Sequence, residues 1–457
     1  MRLRLPHPFV LLLAAVGVAA ALTWTIPAGE YQRRTDAATG RTLVIPGTYA
    51  QVPATPVGPM AAVRAVPRGV IAGADVIVSI LFVGGAFALL DATGALSRLV
   101  GALVGFTRRP RTIVLAVSLA FATLGAVENM QEEIVALVPV MVLLSRGLGF
   151  GAITALAMSV GSAAVGAAFG PTNPFQTGIA LRFAELPPLT MPVLRFALLA
   201  AAITTWIAWT LAMTSRDDVR PTGIGGGNRF LSAGALAKVE GLPVTTGPAT
   251  RRDGLLLALL LLAFVPYVYG VLRLDWGFNE LSAIFLVAGF AVGLAAGRDL
   301  TATTTGFLKG MESMLAAALF VGVARAISLV LTDGRVIDTI VYSLAAPLSG
   351  LPGTVAALMM VPMHTLLHLP VPSVSGQAVL TMPIMAPLSD LLGVSRDAAV
   401  IAYQTGAGLA DLFVPTNGAL LAILLSAGVP YGRWLRFAIP GTLLVAIIGA
   451  IGVVLSA

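Results

Sequence analysis

The sequence predicts an all-α polytopic membrane protein, an inverted repeat with two re-entrant helical hairpins and two discontinuous transmembrane helices. Three observations lead there. Of 457 residues, 57% are apolar and only 11% charged, against roughly 25% charged in soluble domains. Glycine and proline number 49 and 29, more than straight helices need, so some membrane segments are broken, bent or closely packed. The chain also repeats itself: Val138-Pro-Val-Met aligns with Met382-Pro-Ile-Met, and the same offset carries Pro171-Thr172-Asn173 onto Pro415-Thr416-Asn417.

Composition also excludes other classes. A net charge of +7 in so apolar a chain belongs to arginine-rich cytoplasmic loops rather than to a nucleic-acid surface. The absence of cysteine removes disulfides, thiolate metal sites and a cysteine nucleophile.

Arg2 and Arg4 precede the apolar run Phe9 to Ile26, which is expected as an uncleaved first span with a cytoplasmic N-terminus. A cleavable signal ending near Ala19 to Ala21 is the alternative. Residues 27–70 are expected as a polar outer loop. Val76 to Leu90 returns inward, and an interfacial stretch leads to Arg108, Arg109 and Arg111.

Thr112 to Leu124 and Ile134 to Leu144 are then two arms, each too short for the ~20 residues of a crossing. With Arg111 and Arg146 at both ends, they predict a re-entrant hairpin over about 112–146 whose polar tip lies at membrane depth. The run from about 153 to 183 is long enough to cross but is interrupted at Gly170-Pro-Thr-Asn-Pro174. There two prolines unwind the helix and free carbonyls. Pro192 to Met213 completes a first repeat over 1–213, and a polar cytoplasmic loop over 214–252 divides the halves.

The second repeat, 253–457, is expected to hold spans near 254–273, 280–297 and 311–331 and a hairpin over about 354–390. A broken helix over about 397–428 is interrupted at Val414-Pro-Thr-Asn-Gly418, and a last span ends the chain. The total is about nine crossings plus two hairpins. The first hairpin enters from the basic side. The second, with Arg396 its only nearby base, enters from the opposite side. Such an inverted repeat exposes one midplane site alternately to each face, which makes a secondary transporter the leading expectation, with a channel as its mechanistic rival.

In this architecture substrate and ions bind where hairpin tips meet helix breaks. The candidate binding residues are Asn129, Glu132 and Glu133 at the first tip and Thr172 and Asn173 at the first break. Ser373, Ser375, Gly376 and Gln377 follow at the second tip, and Thr405, Asp411, Thr416 and Asn417 around the second break. Na⁺ is expected at Asn173 and Asn417. The plainer reading of the Pro-Thr-Asn pairs is that they cap half-helices. A carboxylate at membrane depth costs several kcal/mol unless paired or hydrated. Glu132 and Glu133 therefore hold Na⁺, carry a proton or receive a cationic head if the tip is deep, and are merely solvated if it is not. Arg325 is expected in a structural pair with an acidic partner.

His364 and His368 stand at metal-ligand spacing, with Asp411 as a conceivable third ligand. That keeps open an intramembrane metal-dependent hydrolase, although Thr365 stands where such a motif needs a general-base glutamate.

Several stretches, in order along the chain, resemble a known family. They are Trp24-Thr-Ile-Pro-Ala-Gly-Glu30, Pro46-Gly-Thr-Tyr49, Val83-Gly-Gly-Ala-Phe87 with Thr93-Gly94, Met130-Gln-Glu-Glu133, Thr172-Asn-Pro-Phe175, Val321-Gly-Val-Ala-Arg325, Ser375-Gly-Gln-Ala378 with Thr381-Met-Pro-Ile-Met-Ala-Pro387, and Pro430-Tyr431 with Trp434. They are similar to the YfcC-like branch of the DcuC-like (C4-dicarboxylate anaerobic carrier) group of the ion transporter superfamily.

The resemblance implies a bacterial inner-membrane carrier, a homodimer with a rigid scaffold and a moving transport domain, working without an organic cofactor. Its coupling ion would be Na⁺ or H⁺. Substrates proposed for the family divide between dicarboxylates and basic amino acids or peptides. This chain departs from the family pattern at Gly406-Ala-Gly-Leu409, Asp411, Pro415-Thr-Asn-Gly418, Val374 and His368, all in the proposed binding region. The acidic first tip, with no arginine in either tip, leans toward an amino-acid-like or cationic substrate.

Overall fold

The computed structural model describes residues 8–35, 42–96, 98–99, 102, 109–128, 130–131, 133–187, 189–214, 248–274 and 276–457. Asn129 and Glu132, Arg2, Arg4 and Arg108, and most of the expected 214–252 loop lie outside them.

After the first helix, α1 (Pro8–Thr25), the expected polar loop has structure of its own. Two short antiparallel ladders pair Gly29–Glu30 with Ala50–Gln51 and Arg33–Thr35 with Thr42–Val44. A helix, α2 (Pro59–Ala72), then starts with proline at its first turn, where the missing N–H costs nothing. The ladders dock on α13 (Ile337–Ala345). Asp338 accepts from the Tyr31 amide at 2.8 Å and pairs with Arg33 at 2.8 Å, and Tyr49 stacks on Tyr342 at 4.2 Å. Burial, with Asp338 nearby, pushes the Tyr31 hydroxyl up to about 12.

Eight helices among the described residues are long and apolar enough to cross a bilayer, and the whole is a multi-pass helical membrane protein. They form two packed groups. In the first, α3 (Ala74–Asp91), α11 (Phe278–Ala295) and the 34-residue α12 (Leu300–Asp333) pack on one another, with α1 and α2 on α12. The short helices α9 (Arg251–Leu261) and α10 (Phe264–Leu274), expected as one span, are separated by a turn at Leu262 and Ala263.

The second group is built on α6 (Ala152–Phe169), 94% of which is buried, against 33% for Phe278–Ala295. It packs on α4 (Pro110–Glu128) and α8 (Pro192–Thr214), and α8 in turn packs on the last helix, α18 (Tyr431–Ser456). The small residues explain the fit. A Cβ on Gly166 would sit 2.0 Å from the Ala122 carbonyl oxygen, and one on Gly125 would sit 2.0 Å from that of Ala163. The two backbones touch, as small-residue stripes allow in membranes. That contact carries α4 past Leu124 to 19 residues, so the first arm is longer than the dozen expected from its apolar run. The second arm of the expected pair is α5 (Ile134–Gly147).

The expected second pair comes close to its predicted bounds as α14 (Gly353–Leu367) and α15 (Val374–Leu391). Both expected breaks are present. After Phe169 the chain leaves helical geometry at Gly170 and resumes at a π turn, Pro174–Gly178, that leads into α7 (Ile179–Phe183). Likewise α16 (Arg396–Tyr403) runs through a π turn, Gln404–Gly408, to a break before α17 (Gly418–Ser426). A buried ion pair ties the breaks to α8. Arg195 donates to Asp397 at 2.7 Å and to Gln404 at 2.8 Å, and the Gln404 amide donates to Ala168 O at 3.0 Å and Thr177 Oγ1 at 2.7 Å.

Candidate substrate and ion site

At the seam between the two groups lies a cavity of about 430 Å³. One wall is α12, which presents Val321, Arg325, Ser328 and Thr332 on one helical face over about 16 Å at 1.5 Å per residue. The rest of the lining includes Gln131 and Glu133, the segment Val371 to Ser375, and Asp411, Thr416, Asn417 and Gly418. The starts of α15 and α17 both open onto it. Ser373 Oγ caps α15 by accepting from Gly376 N at 3.3 Å, and Asn417 Oδ1 caps α17 by accepting from Leu420 N at 3.0 Å. Helix N-termini carry partial positive charge suited to anionic groups.

Six of the expected residues therefore meet at one cavity: Glu133, Ser373, Ser375, Asp411, Thr416 and Asn417. Glu133 Oε2 accepts from the Gln131 amide at 3.1 Å. Thr416 Oγ1 and Gln131 Nε2 are buried at the cavity wall without hydrogen-bond partners among the described residues. Orphans of this kind call for an explanation, and a bound solute or water supplies one.

The remaining expected residues lie elsewhere. Thr172 is exposed and outside the cavity lining. Asn173 is fully buried; its oxygen accepts from Phe175 N and Gln176 N, both at 2.9 Å, and its amide donates to Gly125 O at 2.9 Å. It joins the first break to α4, with its side chain spent on backbone. Thr405 is buried against Gly449 and donates to Ile401 O at 2.8 Å. Gly376 packs over Ser373 as part of the α15 cap. Gln377 is fully buried behind the cavity, between His364 and His368. Asn129 and Glu132 lie outside the described residues.

Arg325 corrects an expectation. It has no acidic partner among the described residues; it is exposed at the cavity wall and donates to the Ala72 carbonyl at 3.0 Å. The signal was available, since Arg325, Ser328 and Thr332 make a polar stripe at helical spacing within an apolar run. The histidines differ from a metal site as well. Both Nδ1 atoms turn to Gln377, at 3.2 Å for His364 and 2.8 Å for His368, while His368 Nε2 meets Asp411 at 2.9 Å.

With this geometry in place, comparison with known proteins is decisive for the family, because the pattern described as the C4-dicarboxylate anaerobic carrier, DcuC, matches residues 5–457. The chain belongs to the DcuC family. It is a membrane transporter and not an enzyme. YfcC of Escherichia coli strain K12, named as a proposed basic amino acid antiporter, is 32% identical over 79% of this chain and 73% of its own length. An uncharacterized protein of Haemophilus influenzae is 29% identical over 98% of this chain and 96% of its own.

Two solved transporters extend over nearly the same length. YdaH of Alcanivorax borkumensis covers 98% of both chains with a TM-score of 0.43 at 18% identity. MtrF of Neisseria gonorrhoeae, described among antimetabolite efflux pumps, covers 99% of this chain and 95% of its own with a TM-score of 0.41 at 15% identity.

Proposed function

We propose that this DcuC-family protein is a secondary active transporter of the bacterial inner membrane that moves a basic amino acid by alternating access, coupled to an ion or to exchange. The observation that carries the reading is the charge content of the cavity, whose lining brings Glu133 and Asp411 together with Arg325. An α-carboxylate would take Arg325 and the helix starts at Ser373 and Asn417, and a cationic side chain would take the two acids. The E. coli relative's name agrees with this chemistry.

In this reading the halves, 1–213 and 253–457, are inverted repeats, the pairs around 112–146 and 354–390 are re-entrant hairpins, and the N-terminus is cytoplasmic. The group around α6 moves against α3 and α12, the latter forming the scaffold of a homodimer. Rocking at the seam exposes the cavity to one face and then the other.

A second reading has its own support. The family's description names C4-dicarboxylates, and Arg325 with two helix N-termini would also bind paired carboxylates. Uptake of labelled arginine, ornithine and succinate into proteoliposomes, with Na⁺ and proton gradients imposed separately, decides between them. Saturable arginine or ornithine flux with counterflow is expected. Succinate flux without arginine flux overturns the basic-amino-acid reading, and non-saturating flux would mean a channel.

A further inference from the structure

Asp411 lines the cavity with Asn417, and the buried His368 and Gln377 lie behind them. Gln377 Nε2 donates to the His364 carbonyl at 2.8 Å, which fixes the orientation of that amide. Its Oε1, 2.8 Å from His368 Nδ1, can only accept, so His368 carries a proton on Nδ1. The other ring nitrogen, Nε2, stands 2.9 Å from Asp411 Oδ1, and the same oxygen accepts from Asn417 Nδ2 at 2.6 Å. A bare Nε2 and an ionised carboxylate are both acceptors. The contact therefore exists only with a proton between them, either as imidazolium with carboxylate or as neutral imidazole with carboxylic acid.

We propose that His368 and Asp411 form a single-proton site that competes with cations entering the cavity. The proposal rests on the reading that the cavity takes a cationic solute, and it adds the coupling ion and its ligands. While the proton is bound, Asp411 is committed to the wall. When the proton leaves to water, an imidazole lone pair faces a carboxylate, the bond is lost, and Asp411 turns into the cavity it already lines. A cationic amine then takes the proton's place, so one cation bound is one proton released, and exchange follows.

Neighbouring elements bring further polar and ionisable groups to the pair. From α14 comes His364, whose Nδ1 accepts from Gln377 at 3.2 Å, and from α16 comes Tyr403, whose hydroxyl donates to Val374 O at 2.6 Å. On the side of α15 the neighbour is Gln377, and Arg325 and Glu133 line the same cavity as Asp411.

The chain holds three histidines, so nitrogen-15 histidine labelling of the full-length protein follows each ring, and His368→Asn identifies which signal is lost. The wild-type His368 ring is expected to keep its Nδ1 proton and to lose the shared proton in one step as pH rises. Asp411→Asn should move that step by more than about one pH unit, whereas an unmoved step overturns the pairing. Asp411→Glu keeps the charge and should retain the step, which covers the case of an Asn variant that does not fold.

With arginine as the probe, affinity should weaken about tenfold per pH unit below the step, as one-proton competition requires. Affinity that stays flat across the step overturns the competition. If arginine binds at no pH, the substrate reading fails, while the Asp411→Asn comparison still decides the proton site.

Discussion

Asn173 and Thr172 are neighbours at the first break, both expected as ligands, yet the structure separates them sharply. Replacing Asn173 by alanine removes a cap that accepts from two backbone amides and a donor to the Gly125 carbonyl, at a site with no solvent exposure. Loss of a cap costs about 1 kcal/mol. Each buried group left unpaired costs about 1–3 kcal/mol. Allowing for incomplete additivity, the sum is about 3 kcal/mol. Thr172→Ala, at an exposed side chain, should stay within about 0.5 kcal/mol of the parent.

Thermal unfolding of the purified chain in detergent reads the difference. Asn173→Ala should melt lower by about 5 °C or more, scaling from the usual few degrees per kcal/mol, and Thr172→Ala should melt with the parent. Asn173→Ser, which keeps an acceptor, should recover part of the loss. The reasoning is refuted if the two alanine variants melt together. It is refuted equally if Asn173→Ala is fully stable and loses only a Na⁺ dependence of transport, since that would make Asn173 an ion ligand rather than a cap.

Other substitutions test other parts of the structure. Gly166→Val places a side chain 2.0 Å from the Ala122 carbonyl oxygen, where only backbone could yield, so folded protein in size-exclusion profiles should fall to a small fraction of the parent; Gly17→Val, with nothing within 4 Å, is the control. Arg325→Gln should weaken arginine binding by about 10-fold to 100-fold, the worth of a charged hydrogen bond, while arginine amide, lacking the carboxylate charge, should bind both proteins alike.

Arg195→Met leaves Asp397 buried without its cation and should lose about 3–5 kcal/mol, read as a lowered melting temperature. Arg396 holds the Asp390 carboxyl below its usual range. That pair's small contribution is therefore present above about pH 4 and lost as pH falls below it, and Arg396→Met should flatten the melting-temperature slope there.

Much of the fold was legible because its signals are local. Apolar runs of membrane length and prolines that cannot donate mark spans and breaks wherever they occur, and the repeated Pro-Thr-Asn placed both breaks before Pro174 and Gly418. The first arm was read short because Gly125 looks like a helix stop in a one-dimensional pattern, whereas the Ala163 backbone across from it makes glycine the residue that lets the helix continue. The strand ladders over 29–51 were missed because strands of two or three residues are too short to show a period.

The site divides in the same way. The sequence by itself determined the membrane class, the broken segments and a pool of polar residues at tips and breaks, since each depends on chemistry within a few residues of chain. Only the tertiary structure decided which of them face one cavity. Asp411 and Arg325 come to one cavity because α17 packs on α12, a contact between segments nearly a hundred residues apart. Asn173 and Gln377 turn away because buried backbone groups claim them first. An unpaired polar group is so costly out of water that whichever partner the packing brings nearest takes the side chain, and no local pattern names that partner.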